Sequence, residues 1–157
     1  MKRIPLTRGL FALVDDADFE WLNQWKWHAQ KYSRKCYAVR HDPADHAKVI
    51  IMHRLIMDAP DGLQVDHINH DGVDNRRSNL RLCTRSQNAM NERPQRNRSS
   101  RFRGVSLFKR NGKWRARIRV SGELLWLGNW ELEKDAARAY NEAAKKHFGE
   151  FAFLNPV

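Results

Sequence analysis

The sequence predicts an α+β protein in which a strand–loop–strand–helix segment is followed by a three-stranded antiparallel sheet packed on one helix. Between residues 64 and 92, two stretches of alternating apolar and polar residues flank a polar loop and precede a helical pattern. Between residues 101 and 157, three strand patterns joined by glycine turns precede an alanine-rich helix. We therefore expect a first module over 1–92, a basic linker over 93–100 and a second domain over 101–157.

The first segment is predicted from its hydrophobic pattern and its turn residues. Residues 65–68 alternate as a strand, 69–78 are rich in Asn, Asp, Gly and Arg as in a loop, and 80–82 alternate again. Thr84 and Gln87 have the spacing of a capping box, which predicts that a helix begins here. Two strands and a helix thus surround a polar loop.

Four polar residues recur across this segment at a recognisable spacing. The order Asp66-His67, then Asn79-Leu80-Arg81, then Asn88 resembles the HNH motif of phage and intron homing endonucleases. The resemblance implies a ββα-metal fold that cleaves DNA phosphodiester bonds with a divalent metal. It also implies that Asp66 and Asn88 are metal ligands, that His67 is the general base, and that Asn79 braces the loop.

The same residue types suit this chemistry on physical grounds. A neutral imidazole such as His67 can accept a proton from water near pH 7. The carboxylate of Asp66 and the amide oxygen of Asn88 are the hard oxygen ligands that Mg²⁺ prefers, with Mn²⁺ as the alternative. Adjacent strand residues point to opposite faces, so Asp66 and His67 need a bulge to share one face, or must approach the scissile phosphate from different directions.

Other residues near the motif have competing interpretations. His70 in the loop is a rival to His67 as the base, and His53 upstream is interpreted as a hydrogen-bonded structural histidine rather than a ligand. Asn75 is assigned a turn or capping role. The three arginines beside the motif are predicted to hold DNA phosphates on either side of the cut, with a solvated loop face as the equal alternative for each; they are Arg76, Arg77 and Arg81.

The first 64 residues are predicted to form a leading part of the same module. Residues 10–14 are apolar and strand-like, and Asp15-Asp16 is expected to cap a helix that runs to about Trp27. Two further strands are predicted over 32–39 and 48–52, joined by a polar loop that contains a proline.

Positive charge dominates the chain, with a formal net charge of +11 and a pI near 10.2. Eleven basic residues follow one another with no acidic residue among them: Arg93, Arg96, Arg98, Arg101, Arg103, Lys109, Arg110, Lys113, Arg115, Arg117 and Arg119. A block of this kind is typical of proteins that bind the nucleic-acid backbone.

The C-terminal segment carries its own pattern. Strands are predicted over 102–108, 113–120 and 123–130, and a helix over 133–148. The motifs Phe-Arg-Gly-Val at 102–105, Lys-Trp-Arg-Ala-Arg-Ile at 113–118, Trp-Leu-Gly at 126–128 and Asp-Ala-Ala-Arg-Ala-Tyr-Asn at 135–141 resemble the plant apetala-two (ethylene-response-factor) DNA-binding domain.

That resemblance implies a sheet that binds in the DNA major groove. It assigns DNA contacts to Arg103, Arg115, Arg117, Arg119 and Trp126. The sequence departs from the plant pattern at Ser106 and Leu124, both contact positions, so we do not transfer the plant target sequence. Trp114 and Trp130 are assigned to packing against the helix.

Composition limits the remaining possibilities. There is no apolar run of membrane-spanning length, the N-terminus has no signal-peptide apolar core, and the two cysteines form no CxxC motif. We expect a cytoplasmic DNA endonuclease, encoded by a phage or mobile element in a bacterial host. Its partner is double-stranded DNA, and the sequence leaves monomer or homodimer open. The alternatives are a non-catalytic DNA-binding regulator and, less favoured, a nuclease that acts on RNA.

Overall fold

The computed structural model describes residues 1–32, 35–94 and 98–157. The chain divides into two compact units, Met1–Asn88 and Ala89–Val157. Within the described residues the fold is α+β with antiparallel sheets, which confirms the predicted class. The predicted linker includes Gln95, Arg96 and Asn97, which lie outside the described residues. No helix among the residues that the structure describes is long and apolar enough to span a bilayer.

The described part of the first unit contains seven strands and three α-helices, and the third helix extends two residues beyond Asn88. A two-stranded sheet pairs β1 with β2, a three-stranded sheet has the order β3-β4-β5, and β6 pairs with β7. The bounds are β1 Lys2–Pro5, β2 Phe11–Val14, α1 Asp16–Asn23, β3 His28–Tyr32, β4 Lys35–His41, β5 Val49–Ile51, α2 Met52–Ile56, β6 Gln64–His67, β7 Leu80–Cys83 and α3 Arg85–Met90.

One hydrophobic core joins these elements. It includes Ile4 of β1, Val14 of β2, Leu22 of α1, Ala38 of β4 and Met52 of α2, all of which are almost completely buried. Burying apolar side chains from five elements fixes the sheets and helices relative to one another within this unit. The hairpin β6–β7 joins the same core through Val65 and Leu80.

Two features of this unit differ from the prediction. The first helix ends at Asn23 and not near Trp27, because Trp27 folds back into the core and donates its Nε1–H to the carbonyl of Leu22 at 2.9 Å. The strand predicted over 32–39 corresponds to β4, Lys35–His41, and its residues Ser33 and Arg34 lie outside the described residues. The strand β3, which pairs with β4 from His28 opposite Val39 to Tyr32 opposite Lys35, was not predicted. Tertiary packing and pairing overrode the local pattern in both places.

The predicted capping box is present at the start of α3. The Gln87 backbone N–H donates to Thr84 Oγ1 at 3.2 Å, and the Thr84 backbone N–H donates to Gln87 Oε1 at 2.8 Å. These two bonds satisfy amides that a helix start would otherwise leave without partners. The chain therefore leaves β7 and enters the helix that carries Asn88 at a defined position.

The second unit is a three-stranded sheet of order β10-β9-β8 covered by one helix. Its elements are β8 Val105–Phe108, β9 Lys113–Val120, β10 Glu123–Trp130 and α4 Glu133–Phe148. The strands β9 and β10 and the helix have the predicted bounds, whereas β8 begins three residues later than predicted. Gly104, with φ +73°, turns the chain there, and a Cβ on it would lie 2.1 Å from the Tyr140 ring.

Candidate active site

Asp66 lies near the end of β6 and forms an ion pair with the residue opposite it on β7. Its carboxylate Oδ2 accepts hydrogen bonds from Nε and Nη2 of Arg81 at 3.0 and 2.7 Å, and only 1% of Asp66 is exposed. A buried carboxylate needs such compensation because desolvation of an isolated charge is costly. Arg81 therefore neutralises Asp66 in this state.

His67 follows Asp66 and belongs to the other face of the hairpin, because the β6–β7 pairing is regular through His67. Its Nε2 lies 3.2 Å from the Oδ1 of Asn75. The Asn75 amide nitrogen donates instead to Met52 Sδ at 3.4 Å and to the Val73 carbonyl at 3.5 Å, so Oδ1 is assigned as the acceptor. His67 Nε2 then carries a hydrogen, and the neutral ring has its lone pair on Nδ1.

Backbone hydrogen bonds to strand β2 fix the position of Asn75. The Asn75 backbone N–H donates to the Leu13 carbonyl at 2.8 Å, and the Leu13 N–H donates to the Val73 carbonyl at 2.9 Å. These two bonds fix the loop between β6 and β7 to a strand sixty residues earlier in the chain. Asn75 itself is fully buried. The orientation of His67 thus depends on tertiary structure and not only on its own hairpin.

Two aromatic neighbours surround the His67 ring. The His53 ring is nearly perpendicular to it with centroids 4.8 Å apart, and the Tyr37 ring centroid lies 5.7 Å away. Burial lowers the pKa of His67, although the hydrogen bond that its ring donates to Asn75 opposes this, and the positive charge of Lys35 lowers the pKa further. His67 is therefore neutral at neutral pH, the form that a general base requires, but only 1% of the residue is exposed.

His53 is also buried, and its Nδ1 has no hydrogen-bond partner among the residues that the structure describes. Burial, together with His67 and then Arg54 and Lys35, lowers the pKa of His53 to about 3. The imidazole is consequently neutral over the whole physiological range. The sequence predicted a hydrogen-bonded structural histidine, but the structure places His53 directly against His67, with one ring nitrogen unsatisfied.

Asn79 makes two contacts across the β6–β7 loop. Its amide nitrogen donates to the Asp74 carbonyl at 2.8 Å, and its Oδ1 accepts the Asn69 backbone N–H at 3.0 Å. The Asn69 side chain in turn donates to Asp74 Oδ2 at 2.8 Å. These bonds connect the two ends of the loop, which is the geometry expected of a bracing residue.

Asn88 approaches the hairpin from α3. Its Nδ2 donates to Gln64 Oε1 at 2.7 Å, and Gln64 lies two residues before Asp66 on the same face of β6. The structure therefore brings the amide of Asn88 to the face that carries the Asp66 carboxylate. A carboxylate and an amide oxygen fit a hard cation such as Mg²⁺. Among the described residues, no group of three or more His, Cys, Asp or Glu side chains could hold a metal ion.

The arginines beside the motif all form ion pairs with carboxylates. Arg76 binds Asp74 through Nε and Nη2 at 2.7 and 2.6 Å, and Arg77 binds Asp18 in the same bidentate way at 2.8 Å for both bonds. Arg81 binds Asp66. Arg81 is only 11% exposed, whereas Arg76 and Arg77 are 36% and 54% exposed, so a phosphate could reach the remaining N–H groups of these two without displacing the carboxylate. The sequence predicted phosphate contacts, or a solvated loop face, for these arginines and could not reveal the carboxylate partners.

The second unit presents a different surface, the outer face of its sheet. Arg117 and Arg119 are exposed on β9, opposite Trp126 and Leu124 of β10, which are 52% and 51% exposed. Arg115 lies on the same face with its guanidinium carbon 3.0 Å from the Phe108 ring centroid. Trp114 and Trp130 pack on the helix side, as their predicted assignment requires.

The side chain of Arg103, for which the motif predicted a DNA contact, is hydrogen-bonded within its own unit. Its guanidinium donates to the carbonyls of Ala89, Met90 and Glu92, and its backbone pairs with the Asn155 side chain. Three carbonyl acceptors occupy the donors of a single guanidinium, so Arg103 fastens the start of the second unit. Its predicted DNA contact would require that these bonds break.

Comparison with known proteins agrees with this geometry. The sequence profile of the HNH endonuclease family matches residues 58–90, which hold the hairpin and α3. An uncharacterized HNH endonuclease of Acanthamoeba polyphaga mimivirus is 32% identical over 152 residues, which cover 96% of this chain and 77% of the relative. The chain belongs to the HNH endonuclease family. The protein is therefore an endonuclease, and the family profile matches its β6–β7 hairpin and α3.

The second unit of this HNH endonuclease is of the apetala-two type. APETALA2-like protein 2 of Oryza sativa is 42% identical over 60 residues, which are 38% of this chain and 14% of the rice protein. The dehydration-responsive element-binding protein 2C of Arabidopsis thaliana is 48% identical over 56 residues, 34% of this chain and 16% of the plant protein. The shared part is thus one domain of much longer proteins. No solved structure gives a significant match to the chain.

Proposed function

We propose that the protein is a metal-dependent DNA endonuclease of the homing type, with a ββα-metal site over about 64–92 and an apetala-two-type domain over 101–157 that positions it on DNA. The hydrogen bond between His67 Nε2 and Asn75 carries the proposal, because it sets the ring lone pair on Nδ1. His67 directly follows Asp66 in β6, and the Asn88 side chain lies on the face of the hairpin that carries the Asp66 carboxylate.

In this mechanism His67 is the general base. Its Nδ1 accepts a proton from the attacking water, and its lowered pKa keeps Nδ1 available at neutral pH. When the ring becomes an imidazolium, its Nε2–H still donates to Asn75 Oδ1. This oxygen carries a partial negative charge and so stabilises the positive charge of the ring. Asn79 keeps the loop closed, so that Asn75 does not move away during the reaction.

A divalent cation fits the oxygen donors of Asp66 and Asn88, and Mg²⁺ or Mn²⁺ are the ions of suitable hardness. When bound, it would stabilise the negative charge that develops on the leaving oxygen of the phosphodiester. Without a metal ion, Arg81 balances the negative charge of Asp66, since its Nη2 lies 2.7 Å from the Asp66 Oδ2. Metal binding therefore competes with this ion pair.

Asp66 and His67 belong to opposite faces of a regular hairpin, so we infer that they approach the scissile phosphate from two sides. His67 is almost completely buried, and the attacking water must reach Nδ1 after the groups that cover the ring move. The proposal therefore includes a rearrangement around His67 when DNA binds.

The C-terminal sheet is proposed to bind duplex DNA through the face that carries Arg115, Arg117, Arg119 and Trp126. Guanidinium groups bind phosphates and base edges, and a sheet of this width enters the major groove. The exposed Leu124 presents an apolar side chain at a contact position, which favours contact with a thymine methyl group. We therefore expect a target sequence that differs from that of the plant proteins.

Metal dependence is tested by nicking of a supercoiled plasmid. We expect relaxed circles with Mg²⁺ and none when EDTA removes the metal, and we expect Asp66→Asn to lower the rate on the order of 100-fold. Asp61→Asn changes an exposed carboxylate in a turn of the same unit and serves as the control. Equal rates in EDTA and Mg²⁺, or equal rates for Asp66→Asn and Asp61→Asn, would contradict the metal site.

The burial of His67 favours a second candidate, a DNA-binding regulator whose hairpin is only a scaffold. Membership of an endonuclease family and the presence of Asp66, His67 and Asn88 count against it. The two candidates differ in the plasmid assay. A regulator retards the plasmid in a gel with wild-type affinity but leaves it supercoiled in Mg²⁺ and in Mn²⁺, whereas an endonuclease relaxes it.

A further inference from the structure

One face of the β3–β4 hairpin in the first unit is distinct from the core. Strand alternation and register place Gln30 opposite Tyr37 and Tyr32 opposite Lys35 on this face. We call these four residues the tyrosine–lysine face. The intervening residues Ala29 and Ala38 point the other way and belong to the hydrophobic core, so the two faces of the hairpin have different environments.

Aromatic rings on this face form a row that begins at the catalytic histidine. The Tyr37 ring lies 5.7 Å from the His67 ring, and the Tyr32 ring lies 6.0 Å from the Tyr37 ring. Tyr37 is half-buried, while Tyr32 is 44% exposed at the outer end of the row. The loop that holds Asn75 reaches the same place, because a Cβ on Gly72 would lie 2.8 Å from the Tyr37 ring. The face is therefore continuous with the candidate active site.

The charge of this face is positive. Lys35 lies close enough to the site that its charge contributes to the lowered pKa of both His53 and His67. The described residues of β3 and β4 include no acidic side chain on either face. A cation beside flat, partly exposed rings is the combination that binds a nucleic-acid strand, with the cation at a phosphate and a ring against a sugar or base.

We propose that the tyrosine–lysine face is a substrate-binding surface that holds the cleaved DNA strand beside the scissile phosphate, with Lys35 at a neighbouring phosphate and Tyr32 against the adjoining nucleotide. This inference rests on the proposed nuclease function of His67. It assigns DNA contacts to the N-terminal unit in addition to those of the C-terminal sheet. Within the N-terminal unit, Tyr37 connects the tyrosine–lysine face to the candidate active site, since its ring contacts those of both Tyr32 and His67.

The hairpin offers a matched pair of variants for the test. Lys35 and Lys31 have the same charge and lie on the same hairpin, but Lys31 is opposite Cys36 and faces away from the tyrosine–lysine face. Lys35→Ala should raise the KM for plasmid nicking roughly 3- to 10-fold and reduce the salt dependence of binding by about one phosphate contact. Lys31→Ala should change neither quantity. Equal effects of the two variants, or a Lys35→Ala enzyme with wild-type KM and salt dependence, would overturn the proposal.

A second measurement separates failure of this inference from failure of the nuclease assignment. Binding of a fluorescent 30-base-pair duplex of random sequence is measured for four full-length proteins. One carries His67→Ala alone, and the other three carry His67→Ala together with Lys35→Ala, Lys31→Ala or Tyr32→Ala. Weaker binding with Lys35→Ala and Tyr32→Ala, but not with Lys31→Ala, supports the face even if the wild type nicks nothing. Active nicking by the wild type with equal binding by all the variants refutes the face and leaves the nuclease assignment intact.

Discussion

The residue whose role the sequence did not predict is Asn75. Its side chain was assigned to a turn, yet its Oδ1 lies 3.2 Å from His67 Nε2 and its backbone pairs with Leu13. In the proposed mechanism the general base needs one ring nitrogen held by a hydrogen bond, and the buried amide of Asn75 provides that hydrogen bond to His67. The signal in the sequence was weak, because nothing in an Asp-Asn-Arg loop indicates which strand it will meet.

We predict that Asn75→Ala lowers kcat about 10- to 100-fold while the KM for DNA stays near the wild-type value. The imidazole loses the acceptor that fixes its tautomer and orientation, whereas the DNA-binding surfaces are unchanged. Steady-state nicking over a range of plasmid concentrations measures both constants. Asn23→Ala, which removes an exposed amide at the end of α1, is the control. A change in KM alone would show that Asn75 does not orient the base.

His53 makes a second residue-scale prediction, about stability. Its pKa is about 3 in the folded protein against an ordinary value of 6.5. Between these values the unfolded chain binds more protons than the folded one, so stability decreases as pH falls from about 6.5 toward 3. One such group contributes a slope of up to about 1.4 kcal/mol per pH unit.

Urea denaturation from pH 7 to pH 4 measures this slope. His53→Phe keeps a ring beside His67 and Tyr37 but removes the titrating group, so its stability should fall less steeply with pH than that of the wild type. His46→Phe, at an exposed position, should keep the wild-type slope. Parallel curves for the wild type and His53→Phe would show that His53 is not buried in its neutral form.

At the scale of the elements, local patterns predicted what local interactions decide. The capping box at Thr84, the strands β9 and β10 and the whole of α4 follow from short-range rules, and the structure has them. The first helix was predicted too long and β3 was not predicted, since the packing of Trp27 in the core and the pairing of β3 with β4 are tertiary contacts that the local pattern does not contain. The ion pair of Arg77 escaped prediction because its partner Asp18 lies 59 residues away in the chain.

The loop of the hairpin depends on a glycine that touches another element. A Cβ on Gly72 would lie 2.3 Å from the Cys36 carbonyl oxygen and 2.8 Å from the Tyr37 ring. We predict that Gly72→Ala displaces the loop from β4, lowers the melting temperature by several degrees and abolishes most of the nicking activity. Thermal unfolding and plasmid nicking are the measurements.

The control for this substitution is Gly62→Ala, which introduces positive-φ strain but meets no atom within 4 Å. It should cost about 1–2 kcal/mol of stability and leave the nicking rate per folded molecule unchanged. If Gly72→Ala behaves like Gly62→Ala in both measurements, the loop does not require close contact with β4.

At the scale of the whole molecule, charge is distributed unevenly over the chain. The first unit uses arginines in ion pairs with Asp18, Asp66 and Asp74, whereas the second unit exposes Arg117 and Arg119 on its sheet. Exposed cations on one face increase affinity for phosphates and speed encounter with DNA. The motif resemblance predicted this face, but it could not show that Arg103 is used internally.

We predict that the double substitution Arg117→Ala with Arg119→Ala weakens DNA binding at least 10-fold and reduces the salt dependence by about two phosphate contacts. Fluorescence anisotropy with duplex DNA at several salt concentrations gives both values. Lys134→Ala with Lys146→Ala removes the same charge from α4, which covers the opposite face of the sheet, and should have a smaller effect. Equal losses for the two pairs would show that net charge alone drives binding.

The account depends most on His67 as the base of a metal-dependent cut, and single-turnover nicking of supercoiled plasmid tests this most directly. With enzyme in excess and Mg²⁺ present, wild type should relax the plasmid, and His67→Ala should do so on the order of 100-fold or more slowly while it binds DNA equally well. Equal rates of relaxation by wild type and His67→Ala would contradict the assignment.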